Sequence, residues 1–242
     1  MLHRTEGIVL KTTPYGEADL IVTYLTKDYG ILKTFAKSPR KIKSRFGSSL
    51  EPFTHSKISF WGREDAALPR LTQSDIINSF HLPRNTVKCY LKISELIELI
   101  LNFVPEREVN KRAFFLLMDI LLSFEEDCET EMLMLYYRVR LLELAGYLPK
   151  LDSCGRCGKK GDAFFVSHGT VLCENCSRGY ETSFRISAGI INLYSHLLNW
   201  SRSNIKRIKP TKELISEFSG LIDEHVRYII ERNLKTKAFK IS

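Results

Sequence analysis

No stretch of this chain is apolar for long enough to cross a bilayer. A spanning helix needs roughly 18 apolar residues in a row, and the nearest approach, around Leu96 to Leu101, is interrupted by Glu98. The opening MLHRTEGIVL lacks the apolar core of a secretory leader, so a cytoplasmic protein is expected. Common catalytic signatures are missing as well. HExxH, GxSxG and GxGxxG do not occur. Gly158-Lys159-Lys160 has neither the spacing of a phosphate loop nor the hydroxyl residue such a loop offers to magnesium. There is no internal repeat and no low-complexity tract. Membrane, secreted and nucleotide-hydrolysing classes all lose support.

At 44% hydrophobic and 26% charged, the 242 residues have an ordinary globular composition, enough for one large domain or two to three small ones. The net charge of +8 is unevenly spread. Residues 1–80 carry 12 Lys/Arg against 8 Asp/Glu, residues 81–180 carry 13 against 14, and residues 181–242 carry 11 against 6. Two basic ends around a neutral middle suit a polyanionic partner. Charge alone fits a solubilising surface equally well.

From Glu6 to about Phe80 the sequence reads as short strands. GIVLKT is followed by LIVTYLT, with Leu20, Val22 and Tyr24 on one face, and by ILKTFAKS after a turn at Lys27–Gly30. KISFWG and a weaker strand near Leu68–Ile76 complete the set. Five strands with a basic loop between the third and fourth suit a small closed β-barrel of the OB type, although an SH3-like barrel or a small antiparallel sheet gives the same pattern. After Pro83 the rhythm becomes helical. Val87, Leu91, Ser94, Ile97 and Leu101 share a face that Leu96 and Ile100 widen, and the helix stops before Pro105. Further helices are expected from Asn110 to Phe124, from Thr130 to Ala145 with Gly146 as the break, and from Ser187 to Trp200. A last one follows Pro210, with Leu214, Phe218, Leu221, Ile222 and Val226 on its core face. The fold class is α+β. A strand domain covers 1–80, a helical domain is split between 81–150 and 181–242, and a module at 151–180 is inserted into it.

That module reads CGRCGKKGDAFFVSHGTVLCENC. Cys154 and Cys157, then fifteen residues, then Cys173 and Cys176 fall in the spacing range of four-cysteine zinc sites. Two residues between cysteines let both thiolates converge on one ion, and Gly155 and Gly158 suit the turn this requires. Phe164–Val166 and Thr170–Leu172 read as a hairpin around His168–Gly169, with His168 a polar turn residue. One structural Zn2+ is the expected cofactor, and a closed four-thiolate site has no open position for chemistry. Cys89 and Cys128, with no CxxC partner, read as packed or incidental.

Charge clusters supply the binding candidates. Lys33, Lys37, Arg40, Lys41, Lys43 and Arg45 fall in a stretch with no acid between Tyr29 and Leu50. Six cations there repel one another unless a polyanion neutralises them, which favours phosphate binding. Tyr15, Tyr24, Phe35, Phe46, Phe53, Phe60 and Trp61 could stack on bases, with most of them expected in the core. Arg202, Lys206, Arg207, Lys209 and Lys212 form a second acid-free candidate patch. The acids Glu125, Glu126, Asp127, Glu129 and Glu131 are read as capping the start of the third helix, where negative charge meets the helix dipole.

Three segments carry a resemblance. EGIVLKTTPYGEADLIVTYLTKDYG, the basic loop with SRFGSSLEPF, and RLLELAGYLPKLDSCGRCG followed by GTVLCENC resemble the RecO family of bacterial DNA repair proteins, in the same order across essentially the whole chain. The resemblance implies an N-terminal OB fold, a helical domain and an inserted zinc module. It also implies a non-enzymatic recombination mediator of the RecFOR pathway that binds single- and double-stranded DNA and anneals complementary strands. With RecR such a protein helps load RecA onto strands coated by single-stranded DNA-binding protein (SSB), whose acidic, hydrophobic-ended C-terminal tail it recognises. RecF is an indirect partner, and the place of action is the bacterial nucleoid. DNA contact then falls on Lys37, Arg40, Lys41, Lys43 and Arg45. Lys88, Lys92, Arg112, Arg138 and Arg140 lie on or beside the apolar helical stripes and could rim a site for the SSB tail. The competing classes are a metal-dependent nucleic-acid-processing accessory enzyme using the acid cluster, and a zinc-containing transcription regulator, which would need a recognition helix.

Overall fold

The first 78 residues form five strands, β1 (Leu2–Tyr15), β2 (Asp19–Thr26), β3 (Gly30–Ala36), β4 (His55–Trp61) and β5 (Arg70–Asn78). The coordinates are a computed structural model that describes residues 1–40, 46–63, 66–128, 130–160, 164–167, 169–179, 185–205 and 207–239. They divide into two units, Met1–Cys128 and Glu129–Ser242. In the first, β1 is longer than its GIVLKT core because it serves two ladders. Leu2–Ile8 pair with β4 and Gly7–Tyr15 with β2, with a register shift between Val9 and Lys11. The order β1-β2-β3-β5-β4 returns to β1. Val22 and Tyr24, with Leu20 partly buried beside them, point into a core shared with Val9, Leu32, Ile58, Phe60 and Leu71.

The ring closes at one narrow seam. β3 and β5 run parallel and meet only at Phe35 opposite Arg70, where the Phe35 N–H donates to the Pro69 carbonyl at 2.9 Å. Below that point the edge of β3 is covered by the connection between two helices. Ile31 bridges to Glu106, the Arg107 N–H donates to the Ile31 carbonyl at 3.1 Å, and Lys33 pairs with Glu106 at 2.6 Å. Gly30, at φ +62°, leaves no room for a side chain, since a Cβ there would lie 2.1 Å from the Glu108 carbonyl oxygen.

Helices complete this unit: α1 (His81–Asn85), α2 (Val87–Phe103) and α3 (Lys111–Glu126). α1 was not expected across Pro83, but proline is tolerated in a first helical turn. Arg84 anchors α1 to the Glu51–Thr54 segment through the Pro52 carbonyl, the Glu51 carboxylate and the Thr54 hydroxyl. The buried face of α2 is rotated from the expected one. Val87 and Leu101 are exposed, while Cys89, Ile93, Leu96 and Ile100 face inward with Ile97 and Leu99. Cys89, read as packed or incidental, is packed, as the first member of that stripe. Cys89 and Cys128 are both buried and joined by a disulfide, a correction to their reading as separate packed residues. Thirty-nine positions separate them, so only the return of the chain after α3 brings them together.

The second unit contains α4 (Glu131–Ala145), β6 (Phe164–Ser167), β7 (Thr170–Cys173), α5 (Glu174–Ser177), β8 (Arg185–Ile186), α6 (Ala188–Asn199), α7 (Arg202–Ile205) and α8 (Lys212–Ile230). Gly146 ends α4 as expected. At φ +78° its N–H reaches the Glu143 carbonyl, and the Tyr147 N–H reaches Leu142. Ser187 and Thr211 cap α6 and α8 with their hydroxyls. α4 is buried on nearly all sides, and Arg138 within it is only 1% exposed. Its guanidinium donates to the Asp223 carboxylate and, at 3.2 Å, to Ser219, both on α8. The acid cluster is split by this layout. Glu125 and Glu126 end α3, and the Glu125 carboxylate accepts from the Leu82 N–H of α1. Of the described members only Glu131 stands in the first turn of α4, and Glu129 lies outside the described residues.

Two measurements check this packing. Gly30→Ala should cost at least about 2 kcal/mol in denaturant unfolding, because it adds a left-handed alanine and a backbone collision. Wild-type stability would remove the seam contact. His225, buried on α8, donates its Nε2–H to the Tyr147 carbonyl at 2.6 Å, and burial holds its pKa below the usual histidine value. Its folded pKa lies below the unfolded one, so its contribution is complete above about pH 6.5 and declines as the pH falls below that value. Thermal midpoints measured at about pH 7.5 and about pH 5.5 should fall further apart for the wild type than for His225→Gln. Equal drops would exclude this histidine as a cause.

Candidate metal centre and nucleic-acid surface

The expected hairpin forms, with β6 and β7 antiparallel and Phe164 opposite Cys173. Cys173 sits at the end of β7, Cys176 in α5, and Cys154 and Cys157 in the turn before. Two backbone bonds shape that turn, Gly158 N–H to the Cys154 carbonyl at 2.8 Å and Cys154 N–H to the Lys159 carbonyl at 3.0 Å. Gly158 has the positive φ expected of it. Gly155 is needed for a different reason. Its N–H donates to the Val171 carbonyl, and a Cβ would lie 2.2 Å from the Thr170 hydroxyl, so glycine lets the turn lie against β7.

These contacts bring the four Sγ atoms within 4.8 Å of one another, and the cluster could hold a metal ion. Among the described residues it is the one group of three or more His, Cys, Asp or Glu side chains placed to do so. Its electrostatics are compatible with a cation. Burial opposes ionisation of Cys154, but N–H donors from Cys173, Cys157 and Arg156 outweigh it and bring the thiol down to about 6. The Cys176 N–H likewise lowers Cys173. Cys176, facing Cys157 and Cys173, is pushed up to about 12. The scaffold therefore favours the first thiolate and resists the last, as expected where four sulfurs share one space with no positive charge among them. His168 lies outside the described residues.

The cationic candidates fall in both units. Lys37 and Arg40 are described, while Lys41, Lys43 and Arg45 lie outside the described residues. Lys37 is exposed. Arg40 bends back onto the β1–β2 turn, donating to the Gly16 carbonyl at 2.8 Å and to that of Glu17, so it braces the start of the loop. Ser38 adds an N–H bond to Asp19 at 2.7 Å. Of the seven aromatics considered for stacking, Tyr24, Phe46, Phe53 and Phe60 are core residues. Tyr15 is 55% exposed and meets Phe35 edge to face at 5.9 Å, close to this loop, and Trp61 is 61% exposed. In the second unit Arg207, Lys209 and Lys212 are exposed, Arg202 is half-buried, and Ile205 anchors the segment. Lys206 lies outside the described residues. At least three cations considered as a rim are already engaged, Lys92 among them through the Cys128 carbonyl at 3.0 Å. Arg138 is the buried partner of Asp223, and Arg140 pairs with Glu143 at 2.7 Å above the Tyr136 ring.

Comparison with known proteins gives one answer along the whole chain. Residues 1–80 match the family described as recombination protein O N terminal, and residues 89–238 match recombination protein O C terminal. The chain belongs to the recombination protein O (RecO) family. It is 42% identical over 239 residues to the DNA repair protein RecO of Thermodesulfovibrio yellowstonii, covering 96% of this chain and 95% of that one. The DNA repair protein RecO of Syntrophus aciditrophicus is 32% identical over 244 residues (97% and 93% covered), and that of Dehalococcoides mccartyi 31% over 236 (96% and 92%). No helix among the described residues of this RecO-family chain is long and apolar enough to cross a membrane.

If the sulfur cluster holds an ion, the full chain purified anaerobically should carry about one metal per molecule by elemental analysis. Replacing Cys154 and Cys157 by serine should remove it and lower the thermal midpoint before any effect on nucleic-acid affinity. Metal-free wild-type protein with an unchanged midpoint would reject the centre.

Proposed function

We propose that this chain is a non-enzymatic mediator of recombinational DNA repair. It binds single- and double-stranded DNA, anneals complementary strands and, with RecR, helps load RecA onto SSB-coated single strands in the cytoplasm, at the nucleoid. Family membership along residues 1–80 and 89–238 carries this reading. The strand order β1-β2-β3-β5-β4 supports an OB-type barrel as its nucleic-acid-binding domain. Annealing joins two polyanions, so a protein with separate basic segments lowers their repulsion without hydrolysing a nucleotide. Lys37, Lys41, Lys43 and Arg45 serve as phosphate contacts, with Arg40 as their brace and Arg202, Lys206, Arg207, Lys209 and Lys212 as a second patch.

The metal is assigned as one structural zinc on Cys154, Cys157, Cys173 and Cys176. Sulfurs at about 2.3 Å from a tetrahedral zinc lie about 3.8 Å apart. Cys157 and Cys173 are 3.7 Å apart. Bound there, zinc would neutralise the thiolates and fix the hairpin, with no coordination position left for substrate. The SSB tail is assigned to the helical part. A cavity of about 390 Å3 has Met134, Leu135 and Ile215 as apolar walls and Lys212 and Glu131 at its lining, a combination able to take an apolar side chain with a cation close by.

The deciding assay follows annealing of complementary labelled oligonucleotides without ATP or magnesium. The full chain should accelerate it, and Lys37→Ala with Lys41→Ala and Lys43→Ala should slow it while flattening the log–log salt slope of single-strand binding by about 2. An unchanged slope with full affinity would remove the loop from the interface. Failure to anneal would remove the function.

A further inference from the structure

The seam between β3 and β5 is not filled completely. Beside the covering connection lies a cavity of about 460 Å3, within the roughly 300–1,000 Å3 range of small-molecule sites. Its walls come from four places in the chain that only the closed sheet brings together. Leu32 and Phe60 form an apolar floor with Pro69, Tyr29 stands at the β2–β3 turn, and Val109 comes from the α2–α3 connection.

The polar lining is as particular as the apolar one. Arg63 and Arg107 both line the cavity. Arg107 is held there in the left-handed region at φ +66°, with its N–H on Ile31 and its guanidinium on the Ala66 carbonyl. Arg63 is exposed at the mouth. Asp28 is the one acid of the lining, and one of its oxygens accepts from the Thr5 hydroxyl at 2.7 Å. The rings are fixed from behind. His3 stacks on Phe60 at 5.1 Å and shares a hydrogen bond with the Tyr29 hydroxyl at 3.2 Å, and Tyr29 meets Phe60 edge to face at 5.2 Å.

Rigid aromatic and apolar walls suit a flat ring, paired guanidiniums suit a phosphate, and a carboxylate accepts from an exocyclic amine. One ligand class combines all three. Resting on the nucleic-acid reading above and deepening it, we propose that this cavity is a slot for a single nucleotide. The base lies against Tyr29, above a floor closed by the core residues Leu32 and Phe60, the phosphate meets Arg63 and Arg107, and Asp28 favours bases that carry an amino group. The slot opens at the Tyr29 end of β3, whereas the basic loop follows its other end at Ala36; Phe35, near that loop, reaches the slot wall through its N–H bond to the Pro69 carbonyl.

The test titrates the full chain by calorimetry with deoxycytidine, deoxyadenosine and deoxythymidine 5′-monophosphates. The first two should bind more tightly than the third, and equal affinities would overturn the role given to Asp28. Val109→Trp fills the slot from a position that is 52% exposed, and Arg63→Glu reverses a charge on the surface. Each should weaken deoxycytidine monophosphate binding by roughly tenfold, while Lys11→Glu, at an exposed position of β1 outside the slot, leaves it unchanged. No binding at millimolar nucleotide, or unchanged affinity in both slot variants, would overturn the proposal. Competition against a 5′-phosphorylated linear strand and a closed circular strand separates the sources. Displacement of the linear strand alone indicates a strand end, displacement of both an internal nucleotide, and displacement of neither a free nucleotide. A chain that anneals strands but binds no nucleotide loses the slot and keeps the mediator reading. A chain that binds nucleotide but no strand keeps the slot and loses the mediator reading.

Discussion

Two strands that run side by side but pair at one residue leave a row of backbone groups needing partners. β3 and β5 are in that position, meeting only at Phe35 and Arg70, and unpaired strand edges invite pairing with other chains. The chain answers with its own connection between α2 and α3, which bridges at Ile31, pairs at Lys33 and lies so close that Gly30 can carry no side chain. Much else in the first unit depends on this. The connection fixes where α2 ends and α3 begins, Asn110 caps α3 directly after it, and the disulfide closes the far end of the same two-helix excursion. The cavity beside Tyr29 and Phe60 exists because the covering segment meets the edge of β3 without filling the space behind it.

Features written in short, regular sequence signals were legible in advance. Short β-prone runs located all five strands, with Leu20, Val22 and Tyr24 on the face that meets the core. Gly146 ended its helix as expected, and the cysteine spacing located a hairpin that gathers four sulfurs. What stayed hidden depends on contacts between distant residues. A helical wheel for α2 that left out Cys89 turned the stripe by part of a turn, since cysteine packs like a small apolar residue. The pairing of Cys89 with Cys128 has no local signature at a separation of 39. The acids near Glu125 looked like one cap because sequence proximity cannot show that α3 ends and α4 begins between them. Nor does composition reveal that Arg40 would spend its guanidinium on the carbonyls of the β1–β2 turn.

The sulfur cluster and Arg138 handle charge in opposite ways. The four cysteines, two of them buried, gather potential negative charge that an ion from outside the chain could balance. Arg138 brings a positive charge into the middle of a buried helix and meets its counter-charge from within, at Asp223, which Lys237 also approaches at 3.2 Å. Removing one partner of such a pair typically costs about 3–5 kcal/mol, whereas an apolar pair of similar shape can be neutral. The pair therefore fixes which face of α8 docks on α4 more than it adds net stability.

Arg138 has another consequence, in the time before the chain is complete. α4 is made well ahead of α8, the element that supplies Asp223 and Ser219. Apart from its two arginines and terminal acids, α4 reads as an apolar segment with Met132, Leu133, Met134, Leu135, Val139, Leu141 and Leu142. Until α8 is made, the Arg138 guanidinium lacks both the Asp223 and the Ser219 acceptor, and burying a charged group without its counter-charge is costly. The arginine thereby sets an order of events, in which the final burial of α4 waits for the arrival of α8.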